Sequence, residues 1–352
     1  MKRNLNIQFE IMKKVYLTID TECHNKEIEN QYIYGKMPNG DICGIQRILE
    51  EAKKSDVKLN FFVDIPEWNR YGEEHIKDMV EMIHSYNQTI CFHFHPNYAS
   101  GDDTKWNLYQ YSKAEQEQML RQGMKDFFRF CGENDVLVFR AGCYGVNLET
   151  MDVLSQLGVK CIDLSYNAGN GKGMCHISED DIHTKNVPVR YENVVIQPNT
   201  TYVGFNYFGK RRFFPLNVAQ TPYGEFVDFM KRTKLDNIIY TMHSWDFILK
   251  WFFDTKKVRL NKLYVKRFHK CIEYARKKGY EFESLNNYHF TPNQQDEMVD
   301  LYDTTLGKIK GLIYNFERFW GVAHFSAKYL ALYFMGCLSL FFSLVFIGFI
   351  IF

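Results

Sequence analysis

Short apolar segments alternate with amphipathic segments along most of the 352-residue chain. The apolar runs are rich in β-branched and aromatic residues, which is typical of strands. The predicted strands are 14–20, 58–64, 89–95, 136–142, 160–166, 193–198, 237–245 and 280–285. Helical periodicity marks 43–55, 73–85, 113–131, 147–157, 222–234 and 261–278. The alternation predicts an α/β fold with a mostly parallel sheet covered on both sides, best fitted by one irregular (β/α) barrel.

Composition excludes several classes of protein. The net charge is +1, so no overall basic field would recruit nucleic acid. The nine cysteines are scattered and contain no CxxC pair. Such a set is typical neither of a disulfide framework nor of a thiolate zinc site, and it favours a reducing compartment.

The last part of the sequence has the composition of a membrane span. Residues 329–352 form a run of 24 residues without a charge, which is long enough to cross a bilayer as a helix. Lys308, Lys310, Arg318 and Lys328 precede the run and no charge follows it. By the positive-inside rule, the chain is predicted to be a single-pass, C-terminally anchored membrane protein with its large N-terminal part on the cytoplasmic side.

The segment before this run has apolar residues at helical spacing. They are Leu306, Ile309, Leu312, Ile313, Phe316, Phe319 and Trp320. A helix at the membrane interface is at least as well supported by this pattern as a core helix. The predicted organisation is therefore an N-terminal tail (1–13), a catalytic domain (14–290), a linker with an amphipathic segment (291–328) and a transmembrane helix (329–352). The polar, Gly-rich region 167–190 is predicted to be a long loop beside the site.

Polar residues gather at the predicted carboxyl ends of several strands, where a parallel barrel places its catalytic residues. The first strand ends in "TIDTE", the third in "CFHFHP", another in "FRAG" and a late one in "YTMHSWD". Residues at i and i+2 of a strand share a face, so each of the first two ends offers two side chains to one side. The set comprises Asp20, Glu22, His93, His95, Arg140, His243 and Asp246.

The chemistry of this set is that of a metal-assisted hydrolase. Two imidazoles and a carboxylate provide ligands for zinc or a similar divalent ion, with positions left for water and substrate. A second carboxylate can accept a proton from water, and a third histidine can protonate a leaving group. An arginine beside the base would orient it and keep it ionised. Any one of these histidines alone is more often a hydrogen-bonded structural residue, but the coincidence of the whole set at strand ends favours a metal site.

The order of these motifs resembles that of the polysaccharide deacetylase family, also called the NodB-homology or chitin-deacetylase-like family. "LTIDTE" is similar to its first motif, "CFHFHP" to its metal-binding histidines, "FRAGCYGVNLETMDVLSQLGVKCIDLSYN" to its arginine–glycine motif and the adjoining segment, and "YTMHSWDF" to its final Leu-His motif. The resemblance covers about residues 14 to 286. It implies a distorted β/α barrel with fewer strands than the full eightfold form.

The resemblance also implies roles for single residues. Asp20 would be the general base, held by Arg140, and His243 the general acid. Glu22, His93 and His95 would bind a divalent metal, most simply Zn²⁺. Asp163 would tune His243, and a backbone N–H near Tyr144 would help to hold the oxyanion. Asp246, which follows the same strand as His243, is predicted from its position to support the site. The commoner family pattern has adjacent aspartates and histidines four residues apart, whereas both pairs are spaced i, i+2 here.

The leading functional hypothesis is a metal-dependent hydrolase that removes an acyl group, N-acetyl above all, from a sugar or glycan. The predicted anchor suggests a substrate made at the cytoplasmic face of a membrane, such as a lipid-linked sugar. Two alternatives remain open at this point. One is a deformylase or amidase acting on another C–N bond, and the other is a catalytically inactive, membrane-tethered glycan-binding module.

Overall fold

The computed structural model describes residues 12–23, 35–37, 39–132, 138–164, 175–177, 185–205, 211–251, 254–288 and 298–323. The predicted membrane span 329–352 lies outside these residues, as do most of the predicted N-terminal tail and most of the predicted loop 167–190. Within the described part of the chain, no helix is long and apolar enough to cross a membrane.

Nine strands of the described part of the chain form the main sheet. They are β1 (Lys13–Thr21), β2 (Leu59–Asp64), β3 (Thr89–Phe94), β4 (Val138–Ala141), β5 (Cys161–Leu164), β6 (Val189–Tyr191), β7 (Val194–Pro198), β10 (Asn237–His243) and β13 (Tyr280–Phe282). Seven of them are parallel and lie side by side in the order β10, β1, β2, β3, β4, β5, β7. Strand β6 adds an antiparallel edge to β7, and β13 pairs with the first residues of β1.

The other described strands form two small antiparallel sheets. One pairs β8 (Thr201–Phe205) with β9 (Arg211–Pro215), and the other pairs β11 (Ile248–Trp251) with β12 (Asp254–Leu260). The longer helices are α1 (Gly44–Ser55), α2 (Glu73–Ser85), α3 (Lys113–Cys131), α4 (Leu148–Gln156), α5 (Tyr223–Arg232), α6 (Lys262–Lys277) and α7 (Thr305–Ala323). All eight predicted strands and all six predicted helices are therefore present. The last residues of the predicted loop 167–190 are instead the start of β6.

The main sheet is curled into an open barrel. Asp20 on β1 and Arg140 on β4 are three strands apart, which in a flat sheet corresponds to about 14 Å. Their side chains nevertheless form a direct hydrogen bond, which requires the sheet to bend round on itself. The described strands do not close the ring, because no pairing joins β10 to β7 or β6. The predicted distorted barrel with fewer than eight parallel strands is thus confirmed in its general form.

The two faces of the curled sheet have different residues. The outer face packs against the helices through a large apolar cluster that includes Leu17, Phe61 and Phe92. The inner face has a separate, smaller apolar layer to which each parallel strand contributes one residue: Tyr16, Phe62, Cys91, Val138, Cys161, Val195 and Ile239. Beyond this layer, toward the carboxyl ends of the strands, the inward-facing residues become polar. This change fixes where the site lies.

The segment predicted as a linker contains ordered structure. Val299, Leu301 and Tyr302 are buried in the large apolar cluster, and α7 comes directly after them. Residue Asp300 also forms a parallel bridge with Val203 of β8. Residues 298–323 therefore pack on the barrel, whereas the predicted domain boundary at 290 remains a prediction.

Candidate metal and catalytic site

Strand register assembles the polar layer above the inner apolar layer. Asp64, His93, Arg140, Asp163 and Gln197 are direct partners across β2, β3, β4, β5 and β7. Because parallel strands in register point equivalent residues to the same face, these side chains form one row inside the barrel.

A second register places the remaining predicted residues beside this row. Asp20 is the partner of His243, on the neighbouring strands β1 and β10. Glu22 and His95 lie two residues beyond Asp20 and His93, toward the carboxyl ends of the strands. Within the described residues, the structure therefore brings together Asp20, Glu22, His93, His95, Arg140, Asp163, His243 and Asp246, together with the turn that contains Tyr144.

Glu22, His93 and His95 form a compact group of potential metal ligands. One ligand atom of each residue lies within 4.8 Å of the others, and all three residues are buried. The Glu22 Oε2 atom is 2.5 Å from Nε2 of His95 and 3.5 Å from Nε2 of His93. Two imidazole nitrogens and one carboxylate oxygen match the donor set of a catalytic zinc site with open positions.

The hydrogen bonding of His93 fits this role. Its Nδ1 atom is 2.9 Å from the backbone carbonyl oxygen of Arg140, which can only accept. The Nδ1–H group therefore donates, and Nε2, 3.5 Å from Glu22 Oε2, is the nitrogen on the side of the other potential ligands. A bond of this kind, from the other ring nitrogen to a carbonyl, usually fixes the tautomer of metal-binding histidines.

The buried guanidinium of Arg140 lies between two carboxylates. It donates to Asp20 Oδ1, and it makes a two-point contact with Asp163 at 3.2 and 2.9 Å. It also donates to the Thr18 hydroxyl and lies 3.9 Å over the ring of Phe62. Burial raises the pKa of Asp163 above its usual value, although the Arg140 charge opposes this shift. Arg140 is thus held on three sides, and it holds the Asp20 carboxylate in turn.

His243 lies on the other side of Asp20. Its Nε2 atom is 3.8 Å from Asp20 Oδ2, and its side chain is one-third exposed. The backbone N–H of His243 donates to Asp246 Oδ2 at 3.0 Å, and its Nδ1 atom lies 4.0 Å from Asp246 Oδ1. The ring of Trp245 stacks on the imidazole at a centroid distance of 4.6 Å. His243 is therefore accessible from outside, whereas Asp20 beside it is buried.

Asp163 and Asp246 were both predicted to support the site, and the structure shows the contacts of each. The tuning of His243 by Asp163 remains a prediction, and the Asp163 carboxylate is engaged by Arg140. The carboxylate beside His243 is that of Asp246, which is buried and has a raised pKa because of that burial. The reason is register: Asp163 is the strand partner of Arg140, whereas Asp246 lies in the same turn as His243.

The turn after β4 has an unusual backbone. Cys143 and Tyr144 both have φ of 54°, in the left-handed region that L-residues seldom occupy. Two consecutive residues of this kind are a local strain that is typically found at functional sites. The phenol of Tyr144 accepts a hydrogen bond from Asn199. The role predicted for a backbone N–H near Tyr144 remains a prediction.

Two residues of the site were missed by sequence reasoning. Asp64 ends β2 and accepts the backbone N–H of His95 at 2.9 Å. Burial raises the pKa of Asp64 well above its usual value. Its position at the tip of an apolar strand was a sufficient signal, because the same signal identified Asp20. Gly142 packs its backbone so close to the His95 ring that a methyl group there would overlap the ring. No sequence pattern reveals that contact.

No protein-family model matches the chain, and no curated protein matches its sequence. Solved structures do match in fold. One is a putative polysaccharide deacetylase from Mycobacterium smegmatis, at 13% identity and a TM-score of 0.46, over 81% of this chain and 94% of that one. Another is a family 4 carbohydrate esterase from Streptomyces lividans in complex with acetate, at 10% identity and a TM-score of 0.42, over 80% and 98%.

A third matching structure is a CE4 family pseudoenzyme from Bacillus anthracis, at 14% identity and a TM-score of 0.41, over 77% of this chain and 63% of that one. The first of these structures bears the name of the polysaccharide deacetylase family, which the motif order resembles. At such identities and TM-scores the matches assign no function to this chain, and the functional argument rests on the geometry of the site.

Proposed function

We propose that the chain is a metal-dependent hydrolase that removes an acyl group, N-acetyl above all, from a sugar or glycan. The observation that carries the proposal is the adjacency of two sets of groups. A buried Glu22, His93 and His95 cluster can bind a divalent ion, and Asp20 with Arg140 and His243 lies beside it.

The donor set favours zinc or a similar ion. When bound by Glu22, His93 and His95, such an ion supplies Lewis acidity and lowers the pKa of a water molecule to about 7 in well-studied sites. The site would thus provide a nucleophile at neutral pH without any covalent intermediate on the protein.

The other residues of the site act as general base and general acid. Asp20 accepts the proton of the attacking water, and Arg140 fixes its carboxylate in one orientation. The water oxygen bonds to the carbonyl carbon, and the C–N bond breaks as His243 donates a proton to the departing amine nitrogen. Carboxylic acid and free amino sugar are the products. A positioned acid or base of this kind contributes about 10²–10⁴-fold to the rate.

Membrane attachment is part of the proposal. The uncharged run 329–352 supports a single C-terminal span, and the basic residues before it support a cytoplasmic catalytic domain. A lipid-linked or nascent glycan at that membrane face is the substrate class that such a location favours.

The test is acetate release from N-acetylhexosamine oligosaccharides by the detergent-solubilised full chain, after metal removal and reloading with Zn²⁺. We expect zinc-dependent activity that is lost in His95→Ala and kept in His84→Ala, since His84 is an exposed helix residue. Release of formate or ammonia instead of acetate would indicate a deformylase or another amidase. Absence of bound metal in the purified protein would indicate an inactive glycan-binding module.

A further inference from the structure

Helix α7 packs on the barrel, and among its described side chains three large apolar ones face outward. Leu306, Ile309 and Ile313 are 64%, 54% and 62% exposed, although all three are large apolar residues. Positions i, i+3 and i+7 of a helix lie on one side, so the three side chains form a continuous stripe. We call Leu306, Ile309 and Ile313 the outer stripe.

The described residues of α7 that face the protein are glycines, buried polar residues and Tyr314. Gly307 and Gly311 approach residues 301–302 so closely that a methyl group at either position would overlap them. One turn further along, Arg318 and Asn315 are buried and hydrogen-bonded to each other. For the described side chains, this arrangement differs from the usual one, in which the apolar residues of a surface helix face the core.

Several charged contacts fix the rotation of α7 about its axis. Arg318 donates to the fully buried carboxylate of Glu225 on α5. Lys310 and the Tyr314 hydroxyl both donate to Asp228 of the same helix, at 2.9 and 3.1 Å. Rolling the helix to bury the outer stripe would break these bonds and leave buried charges without partners.

We infer that the outer stripe is seated on a lipid surface, and that α7 is a rigid membrane-contact element of the barrel. The sequence beyond α7 supports this occupant. Six residues after the end of α7 begins the 24-residue uncharged run 329–352, so the outer stripe lies next to the predicted entry into the bilayer. The inference rests on the membrane attachment proposed above, and it does not depend on the proposed catalytic reaction.

The size of the outer stripe favours a lipid surface over a second protein. Stable protein interfaces bury about 800 Å² on each partner, and the three described side chains of the outer stripe are by themselves too few for that area. An interfacial helix instead needs a narrow apolar face that enters the boundary of headgroups and acyl chains by about 5–10 Å. Leu306, Ile309 and Ile313 have the chemistry and the spacing that this requires.

The test uses the full chain carrying the photo-crosslinker p-benzoylphenylalanine at a single position. Variants Ile309→p-benzoylphenylalanine and Ile313→p-benzoylphenylalanine are reconstituted into phosphatidylcholine–phosphatidylglycerol vesicles and irradiated. The matched control is the same substitution at Leu148, which is 41% exposed but lies on α4. We expect lipid adducts, detected by mass spectrometry, at positions 309 and 313 and at least about tenfold less adduct at 148.

Four outcomes would overturn the inference. They are equal lipid labelling at all three positions, a crosslink to a second copy of the chain, a crosslink to residues 324–352 of the same chain, and failure of the chain to associate with vesicles. Because the two test positions are more than half exposed, the substitutions leave the packed side of α7 intact. Agreement between them guards against a local failure at either one.

Discussion

The ring of His95 fits against the turn after β4 because residue 142 has no side chain. A Cβ atom at Gly142 would overlap the imidazole, and the ring would have to rotate away from Glu22. We therefore expect Gly142→Ala to weaken Zn²⁺ binding by roughly 10–100-fold, the range seen when the groups that orient metal ligands are changed. Competition titration with a chromophoric chelator measures the effect.

A second glycine provides the control for general packing damage. A methyl group at Gly204 would overlap the ring of Phe214 in the small β8–β9 sheet, away from the metal ligands. Both variants should lose stability, but Gly204→Ala should retain zinc affinity. Equal zinc affinities of Gly142→Ala and the unmodified chain would contradict the prediction. They would show that the His95 ring can bind zinc even with a methyl group at position 142.

Kinetic measurements can distinguish the role of Asp246 from that of the metal ligands. Its carboxylate accepts the backbone N–H of His243 and lies beside the ring, so Asp246→Asn keeps the shape and removes the charge. We expect kcat for acetate release to fall by roughly 10–100-fold with zinc content unchanged. A rise in KM alone, or a loss of zinc, would contradict the role of Asp246 as the partner of His243, the proton donor.

Sequence reasoning reached the site residues whose signal is local. The i, i+2 spacing in "DTE" and "HFH" was enough to put both pairs on one face of their strands. It could not show that Asp163 faces Arg140, because that depends on which strands are neighbours and in which register. Gly142 was beyond reach for a similar reason, since its importance lies in a contact with another strand's side chain.

At the scale of elements, the junction of α5 and α7 depends on one buried ion pair. Glu225 is fully buried, accepts from Arg318 and also accepts the Tyr302 hydroxyl. Glu225→Ala leaves the Arg318 charge without its partner, so we expect a loss of about 3–5 kcal/mol in the free energy of unfolding. Urea denaturation of the full chain in detergent measures it.

The control for that experiment is an exposed ion pair. Glu117 and Arg121 are four residues apart on α3 and both half exposed. Because exposed pairs contribute little, Glu117→Ala should cost no more than about 0.5 kcal/mol. Similar losses for Glu117→Ala and Glu225→Ala would mean that the α5–α7 junction does not depend on the buried pair.

The second link between these helices responds to pH. Burial by itself would raise the pKa of Asp228, but hydrogen bonds from Lys310 and Tyr314 outweigh it and lower the pKa below its usual value. A lowered pKa stabilises the fold above the unfolded value of about 3.9, and this stability is lost as the pH falls below that value. The difference in free energy of unfolding between the unmodified chain and Asp228→Asn should therefore be constant between about pH 5 and pH 7. It should shrink below about pH 4.

Urea denaturation at a series of pH values from about 3 to 7 gives that difference directly. Lys231→Ala serves as a matched variant, because Lys231 also contacts Asp228 but at 3.7 Å and from the exposed surface. A difference that stays constant through the acid range would show that Asp228 is not the titrating group.

The elements that sequence reasoning found and those it missed differ in their surroundings. Strands of the parallel sheet are buried on both faces, so they appear as apolar runs that stand out in the sequence. Strands β8, β9, β11 and β12 lie outside that sheet and contain residues such as Gly204, Arg211 and Lys256. Their antiparallel pairing is tertiary information, which a short mixed segment does not carry.

For α7, the helical spacing identified the helix but left its orientation open. The same apolar residues could have faced the barrel or a membrane. The orientation is decided by the buried chemistry on the opposite side, where Arg318 meets Glu225 and two glycines allow close approach. Arg318 and Glu225 lie about 90 residues apart in the chain, so no local pattern contains both.

At the scale of the whole molecule, the curled sheet explains why the site forms at one end. Each parallel strand supplies one apolar residue to the inner layer and then a polar residue nearer its carboxyl end. The curl brings the side chains of Asp20 on β1 and Arg140 on β4 within hydrogen-bonding distance. Arg140 thereby links parts of the chain that are 120 residues apart. The apolar layer beneath excludes water from the side chains above it and thereby strengthens their electrostatic interactions.

The same architecture makes a bound ion a link between strands. Glu22 lies just after β1, whereas His93 and His95 belong to β3 and its end, so an ion held by all three would join strands separated by β2. An ion that binds only the folded chain stabilises it by RT ln(1 + [L]/Kd), about 2.7 kcal/mol at a concentration a hundredfold above Kd. We expect Zn²⁺ to raise the urea midpoint of the metal-free full chain in detergent and a chelator to reverse the effect. His95→Ala should abolish the shift and His84→Ala should preserve it, whereas equal stabilisation of both variants would place the zinc elsewhere in the molecule.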